Sequence, residues 1–244
     1  MNNGMHISEA KLRGKEHEMN VLTFLHQEIF SNYDNLMALI KIKQPNLSRL
    51  LTRMVKKRLL EKHVLTLDTC KVSLWGITQL GIEQAGNARN APLVPFTPSR
   101  LSLTILNHTL MTQRVYIALK HLNWTGWRNG DRQAFKQQFA LPHRPDAIVT
   151  TPMGTVMAIE TELTIKNVAR YRSIIKSHIQ AKGKGFWGHV IYVVRNQACK
   201  EMLQVRFDNI KYIPFDESRH PFETYSKLFS IFTVEEMKLL NQTQ

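Results

Sequence analysis

The sequence predicts a protein of the mixed α/β (α+β) class, built in two parts. In the first third of the chain, three segments with apolar residues at helical spacing precede two alternating, strand-like runs. Beyond residue 103 the pattern is one helix, three strand-like segments, a second helix and a buried strand. Residues 87–103 separate the two parts and contain three prolines with little periodicity, so we predict a linker there.

Three helices are predicted at the start of the chain. Apolar residues recur at helical spacing over Glu18–Phe30 and again over Leu36–Ile42, just before Pro45. Asn46 or Ser48 is expected to cap the third helix. The residues predicted to face inward from it are Leu47, Leu50, Leu51, Met54, Val55 and Leu59.

Residues 63–78 form two alternating runs around Asp68-Thr69, which predicts a β-hairpin, and residues 77–86 predict a short closing helix. Three helices followed by a hairpin are typical of a winged helix-turn-helix, which we assign to residues 1–86.

The second part, residues 104–244, is predicted to follow an α-β-β-β-α-β-like order. Its segments are a helix over Thr104–Leu122, an irregular or edge-strand segment over 124–135, strands over 145–151 and 154–164 joined by a turn at Met153-Gly154, a helix over Asn167–Ala181, a buried strand over 189–194, a helix around Gln197–Gln204 and a last strand over 210–215.

The net charge is unusual, at +14 from 33 Lys plus Arg against 19 Asp plus Glu. Such a field attracts polyanions, either nucleic acid or an acidic membrane surface. No apolar run is long enough to span a bilayer and the start has no hydrophobic signal core, so neither membrane insertion nor secretion is expected. Cys70 and Cys199 have no CxxC spacing, which favours a reduced, cytoplasmic protein.

The segment that contains the third helix is strongly basic, with eight Lys or Arg residues and one acid, Glu61, between Lys41 and His63. Arg suits guanine edges, and Ser, Thr and Lys suit phosphates, so the helix has the composition needed for DNA recognition. A solvated charged helix and a protein-binding winged helix are the alternatives. The predicted DNA-contacting residues are Ser48, Arg49, Thr52, Arg53, Lys56 and Lys57, with Lys71 on the hairpin.

Three carboxylates are expected to converge in the second part. Glu160 and Glu162 share one face of a strand, and Asp146 opens the preceding strand. Three ionised carboxylates require a compensating cation, and Mg²⁺ or Mn²⁺ suits oxygen ligands. In the alternative interpretation the two glutamates form a wet strand face and Lys166 pairs with one of them.

The Pro-Asp pair, a spacing of about 14 residues, and Glu-x-Glu at a strand end resemble the PD-(D/E)XK restriction-endonuclease-like nucleases. The chain departs from the commonest form because Glu162 stands where lysine is usual. That departure leaves the role of the lysine to Lys166, or to Lys176 on the following helix.

Four short motifs resemble the replication-relaxation family: His108-Thr109-Leu110, residues 144–149 (RPDAIV), residues 160–164 (ETELT) and Arg170-Tyr171. Nearly the whole chain is similar to its C-type plasmid mobilisation relaxases, the MobC group. The resemblance implies metal-dependent nicking of one strand at a plasmid transfer origin, with accessory mobilisation and coupling proteins as partners.

The resemblance also implies roles for single residues. Asp146 and Glu160 would be metal ligands, Glu162 a ligand or general base, and Lys166 a charge that steadies the phosphate. Tyr171 would act as a nucleophile, pack in the core or hydrogen-bond a phosphate, and all three roles stay open.

Other residues are weaker candidates. His143 and His108 are considered as contacts to DNA or to the site, although isolated histidines, His178 and His189 included, are usually structural. Trp124 and Trp127, beside Arg128 and Arg132, are either stacking platforms for unpaired bases or core aromatics.

Two other functional classes remain compatible with the sequence. In one, a non-catalytic DNA-binding regulator retains a degenerate nuclease fold. In the other, a restriction-like or repair endonuclease cuts both strands.

Overall fold

A computed structural model describes residues 3–67, 70–86, 95–216 and 218–240. The chain forms two compact units, residues 1–113 and 114–244, called here the first and second units. Helices and strands are mixed in both, which confirms the predicted fold class. The helices are α1 (Asn3–Glu28), α2 (Tyr33–Ile40), α3 (Gln44–Lys56), α4 (Gln79–Ala85), α5 (Leu103–His121), α6 (Gln133–Gln138), α7 (Val168–Gly183), α8 (Gln197–Asp208), α9 (Glu223–Ser226) and α10 (Val234–Met237). The strands are β1 (Phe30–Asn32), β2 (Leu60–Leu67), β3 (Cys70–Ile77), β4 (Thr125–Asn129), β5 (Ala147–Thr150), β6 (Val156–Glu162), β7 (His189–Val194), β8 (Tyr212–Phe215), β9 (Ser218–Pro221) and β10 (Phe229–Thr233).

The first unit has the element order of a winged helix-turn-helix. Helices α1, α2 and α3 precede the β2–β3 hairpin, and α4 follows it as predicted. The short strand β1 was not predicted; it pairs antiparallel with β3 and makes the sheet three-stranded, in the order β1-β3-β2. The predicted hairpin turn, Asp68-Thr69, lies outside the described residues.

Helix α3 begins before the predicted caps. Its N-cap is Lys43, with no side-chain cap hydrogen bond, so the expected capping by Asn46 or Ser48 is wrong. Pro45 lies in the first turn, where its missing N–H has no intrahelical partner to lose. The inward-facing prediction for the helix is confirmed at the four residues that are buried on it, Leu47, Leu50, Leu51 and Met54.

The second unit is built on a five-stranded sheet in the order β10-β7-β6-β5-β4. Strands β4, β5 and β6 are antiparallel neighbours, and β7 pairs in parallel with both β6 and β10. The order α5, β4, β5, β6, α7, β7 is the predicted one, with the short helix α6 inserted. As expected, β4 lies at the edge of the sheet.

The end of the chain differs from the prediction. Strand β8 does not join the five-stranded sheet but pairs with β9 in a separate two-stranded sheet. Pro214 within β8 cannot donate a ladder hydrogen bond, which disfavours a central position. Strand β10, which was not predicted, lies beside β7.

The predicted linker is only partly described. Residues 87–94 lie outside the described ranges, and Pro98–Arg100 forms a single 3-10 turn before α5. The predicted domain limits therefore stay a prediction. Within the described ranges, none of the helices has the length and apolar character needed to cross a bilayer.

Candidate functional site

The outward face of α3 is the first candidate site. All six predicted DNA-contacting residues in this region, Ser48, Arg49, Thr52, Arg53, Lys56 and Lys57, are exposed. Their alternation with the buried apolar residues confirms the predicted orientation of the helix. Lys71 on β3 is exposed as well. DNA binding by these residues stays a prediction.

A groove runs between α3 and the hairpin of the first unit. Its walls include Thr52 and Lys56 from α3 and Lys62 and Trp75 from the hairpin. The Lys62 ammonium lies 5.3 Å from the centre of the Trp75 ring. The Tyr33 hydroxyl donates a 2.8 Å hydrogen bond to the Gln44 carbonyl, which holds α2 against the start of α3. The groove is thus lined by the ammonium groups of Lys56 and Lys62, the hydroxyl of Thr52 and the ring of Trp75.

One buried acid divides the basic residues of α3 into two sets. Glu18 of α1, 5% exposed, accepts hydrogen bonds of 2.9 Å at both carboxylate oxygens from Lys57. The Arg53 Nε lies 3.5 Å from the same carboxylate. Among the described residues, no acid pairs with Arg49 or Lys56. Lys57 and Arg53 are therefore engaged within the unit, whereas Arg49 and Lys56 face solvent.

The second candidate site lies on one face of β6. Glu160 and Glu162 point to the same side of the strand, as alternation predicts, and α7 covers that side with His178 and Tyr171. Glu160 is 8% exposed and Glu162 is 4% exposed. The interpretation of these residues as a wet strand face is therefore wrong.

Two histidines hold Glu160. The Nε2 atoms of His143 and His178 lie 2.7 Å and 2.9 Å from the same oxygen, Oε1 of Glu160. Helix α7 also fixes the segment that bears His143: the His143 N–H donates to Ser177 Oγ, and this hydroxyl donates to the His143 carbonyl. The three side chains therefore come from a loop, a strand and a helix that are tied together.

The histidines keep Glu160 ionised. Burial by itself raises the pKa of this carboxyl, but hydrogen bonds and charges from His143 and His178 outweigh burial and lower the pKa to about 2. A carboxylate accepts hydrogen bonds but donates none, so both imidazoles act as donors toward it.

Glu162 is held by a different pair. Lys166 places its ammonium 2.5 Å and 2.6 Å from the two carboxylate oxygens, and the Tyr171 hydroxyl donates a 2.8 Å hydrogen bond to Oε2. The pairing of Lys166 with one glutamate, considered above as an alternative, is thus present. Burial, with the nearby charge of Glu162, raises the pKa of Tyr171. The fully buried phenol is therefore a protonated donor in this arrangement.

Asp146 does not join the other two carboxylates in a ligand set. Its Oδ2 accepts a 2.6 Å hydrogen bond from the backbone N–H of Thr161. Among the described residues, the one group whose ligand atoms all lie within 4.8 Å of one another is His143, Glu160 and His178. Among the described residues, Asp146, Glu160 and Glu162 do not form a group with ligand atoms within 4.8 Å of one another, and a cation shared by the three stays a prediction.

The remaining candidates lie apart from the Glu160 and Glu162 contacts described above. The Lys176 ammonium lies 3.5 Å from the exposed carboxylate of Asp216. Trp127 is buried and stacks on Tyr116 with 4.7 Å between ring centres, as a core aromatic does. Trp124 is half-buried and borders a cavity of about 470 Å³ in the second unit.

The sequence contains a signal for each of the two histidines. His178 lies seven residues after Tyr171, on the same buried face of α7 as Ile174 and Ile175. His143 lies three residues before Asp146, next to the start of β5. A histidine on an apolar helix face that covers an acidic strand end requires a polar partner, and Glu160 is that partner.

Comparison with known proteins found no relative of this chain. No family model matches the chain, and searches of curated proteins and of solved structures each found no match. The function is therefore inferred from the geometry of the two candidate sites.

Proposed function

We propose that this protein binds duplex DNA through α3 and the hairpin of the first unit. The proposal is supported by the exposed basic face of α3, which lies in a unit whose helices and strands follow the order of a winged helix-turn-helix. In that fold the third helix enters the major groove, where Arg and Lys contact base edges and phosphates.

The two cations without acidic partners are the expected anchors. Arg49 and Lys56 lie seven residues apart on α3, which is about two helical turns, so they project from the same side of the helix. Thr52 lies between them, and Lys62 borders the same groove from the hairpin. This spacing suits contacts to phosphates along one edge of a groove.

The test is a titration of a fluorescently labelled duplex with the full chain. We expect Arg49→Ala and Lys56→Ala each to weaken binding about tenfold, which is about 1.4 kcal/mol. Lys227→Ala, which removes an exposed lysine from the second unit, is the matched control and should leave the affinity unchanged. Equal affinities for all four proteins would contradict the proposal.

Single-strand nicking by the second unit is a second candidate function. It is favoured by the α-β-β-β-α-β order, with Glu160 and Glu162 ending β6 and Lys166 beside Glu162. Together with the resemblance drawn from the sequence, these features support a plasmid mobilisation relaxase. Its substrate would be a transfer origin, its partners accessory mobilisation and coupling proteins, and its location cytoplasmic.

Supercoiled plasmid containing a transfer origin tests this second function. Incubation with the full chain and Mg²⁺ or Mn²⁺ should yield open-circular DNA, and Asp146→Asn or Glu162→Gln should abolish the product. Asp208→Asn, in an exposed carboxylate of α8, is the control. Intact plasmid throughout would favour a regulator, and linear product would favour a double-strand endonuclease.

A further inference from the structure

We propose that His143, Glu160 and His178 form a binding site for one divalent transition-metal ion. The site differs from the three-carboxylate set expected from the sequence and shares only Glu160 with it. Metal binding at this site is a property separate from DNA binding by the first unit. It can be measured directly, so its test does not require strand cleavage.

The donor atoms are already close to the spacing that an ion requires. The two Nε2 atoms lie 2.7 Å and 2.9 Å from Glu160 Oε1, and all three donors fall within 4.8 Å of one another. Metal–donor bonds of about 2.1 Å place neighbouring donors about 3.0–3.4 Å apart in octahedral or tetrahedral sites. Each histidine Nε2 therefore needs to move only roughly half an ångström further from Glu160 Oε1 when an ion replaces the protons between them.

The protein holds these donors rigidly. His178 is completely buried on α7, Glu160 is fixed in the middle of the five-stranded sheet, and Ser177 anchors the backbone of His143 through two hydrogen bonds. His143 is the most accessible of the three, with 19% of its side chain exposed. A metal site held by packed elements loses little entropy on binding, and His143 provides the side from which an ion enters.

A buried hydroxyl beside the cluster indicates a polar neighbour. Tyr192 lies opposite Glu160 in the β6–β7 register, and it is 1% exposed. Its hydroxyl has no hydrogen-bond partner among the described residues. An unpaired buried hydroxyl costs about 1–3 kcal/mol. Three protein ligands leave at least one coordination position open for water.

The donor chemistry selects the class of ion. Two imidazole nitrogens and one carboxylate oxygen suit Zn²⁺, Mn²⁺, Fe²⁺ and Co²⁺, whereas Mg²⁺ prefers oxygen ligands and retains its water. The site should therefore discriminate against Mg²⁺.

The test is titration of the chelator-stripped full chain with Co²⁺, followed by visible absorption of the bound ion. We expect about one equivalent to bind, Zn²⁺ to displace it and excess Mg²⁺ to leave it in place. His143→Gln retains an N–H donor toward Glu160 but removes the imidazole ligand, and it should weaken binding at least tenfold. His121→Ala, at an exposed histidine of α5, should bind as the unaltered protein does.

Three results would overturn the proposal. The first is that the unaltered chain shows no visible absorption from bound Co²⁺. The second is that His143→Gln binds Co²⁺ as tightly as the unaltered chain, and the third is that His121→Ala also loses Co²⁺ binding. If His143→Gln fails to fold, thermal unfolding of the unaltered chain provides the test instead. A bound ion stabilises the folded state, so Tm must rise as the Zn²⁺ concentration is increased. An unchanged Tm would refute the site. Duplex binding measured on the same samples shows separately whether the first unit binds DNA.

Discussion

The two units place their charges in opposite ways. In the first unit the cations of α3 point into solvent, and Glu18, the acid that pairs with two of them, is buried. In the second unit the acids Glu160 and Glu162 are buried, and each is surrounded by its own donors. The first arrangement leaves positive charge available to a polyanion, and the second neutralises negative charge inside the fold.

This difference predicts where substitutions act. Arg49 and Lys56 are exposed and have no acidic partner among the described residues, so their charges contribute mainly to binding. Removing one partner of a buried ion pair leaves an uncompensated charge and costs several kcal/mol. Substitutions in the Glu160 cluster should therefore appear first in stability, and substitutions on α3 in affinity.

The largest expected effect is on stability, in His178→Ala. The change removes one of two donors to a buried carboxylate, and we expect the free energy of unfolding to fall by about 3 kcal/mol. Urea unfolding of the full chain in the presence of chelator measures it. His178→Gln, which can still donate an N–H, should lose less. A loss under about 1 kcal/mol in His178→Ala would remove the distinction between the two units.

A smaller effect on the stability of the folded protein is expected at alkaline pH. Burial raises the pKa of Tyr171, and also that of Tyr192, so the folded protein retains these protons after the unfolded chain has lost them. The contribution of both phenols to stability is complete below pH about 10 and falls as pH rises above it. The phenolate absorbance of the six tyrosines should include a step that accompanies unfolding, because Tyr171 and Tyr192 ionise only when the protein unfolds. Ionisation of all six before unfolding would contradict their burial.

The smallest expected effect is a gain in DNA affinity in Glu18→Gln. Without the carboxylate, Lys57 and Arg53 become available to phosphates, and we expect binding to tighten about threefold, or about 0.6 kcal/mol. Glu16→Gln removes an exposed acid from the same helix and is the control for net charge alone. Equal gains in both variants would show that the pairing with Glu18 has no specific effect.

The parts that sequence predicted well are those with a strong local period. The apolar spacing of α3, the alternation in β6 and the buried run of β7 each specify one element and its inward face. Strand β1 has only three residues, too few for a period, and it exists because Phe30, Ser31 and Asn32 pair with β3. Strand β10 likewise depends on a distant partner, β7.

The candidate site was harder to predict than the fold. Strand alternation places Glu160 and Glu162 on one face, but the partners that each finds depend on tertiary packing. His143 and His178 are 35 positions apart and meet only because α7 folds over β6. The sequence pattern of the strands therefore did not reveal that His178 and Tyr171 of the covering helix α7 contact the two glutamates.

The salt dependence of duplex binding tests the central claim most directly. Because each neutralised phosphate releases counterions, the logarithm of the binding constant of the unaltered chain should fall steeply and linearly with the logarithm of salt concentration. In the double variant Arg49→Ala/Lys56→Ala the slope should decrease by about two. A slope near zero for the unaltered chain, or the same slope in the double variant, would contradict DNA binding by the exposed face of α3.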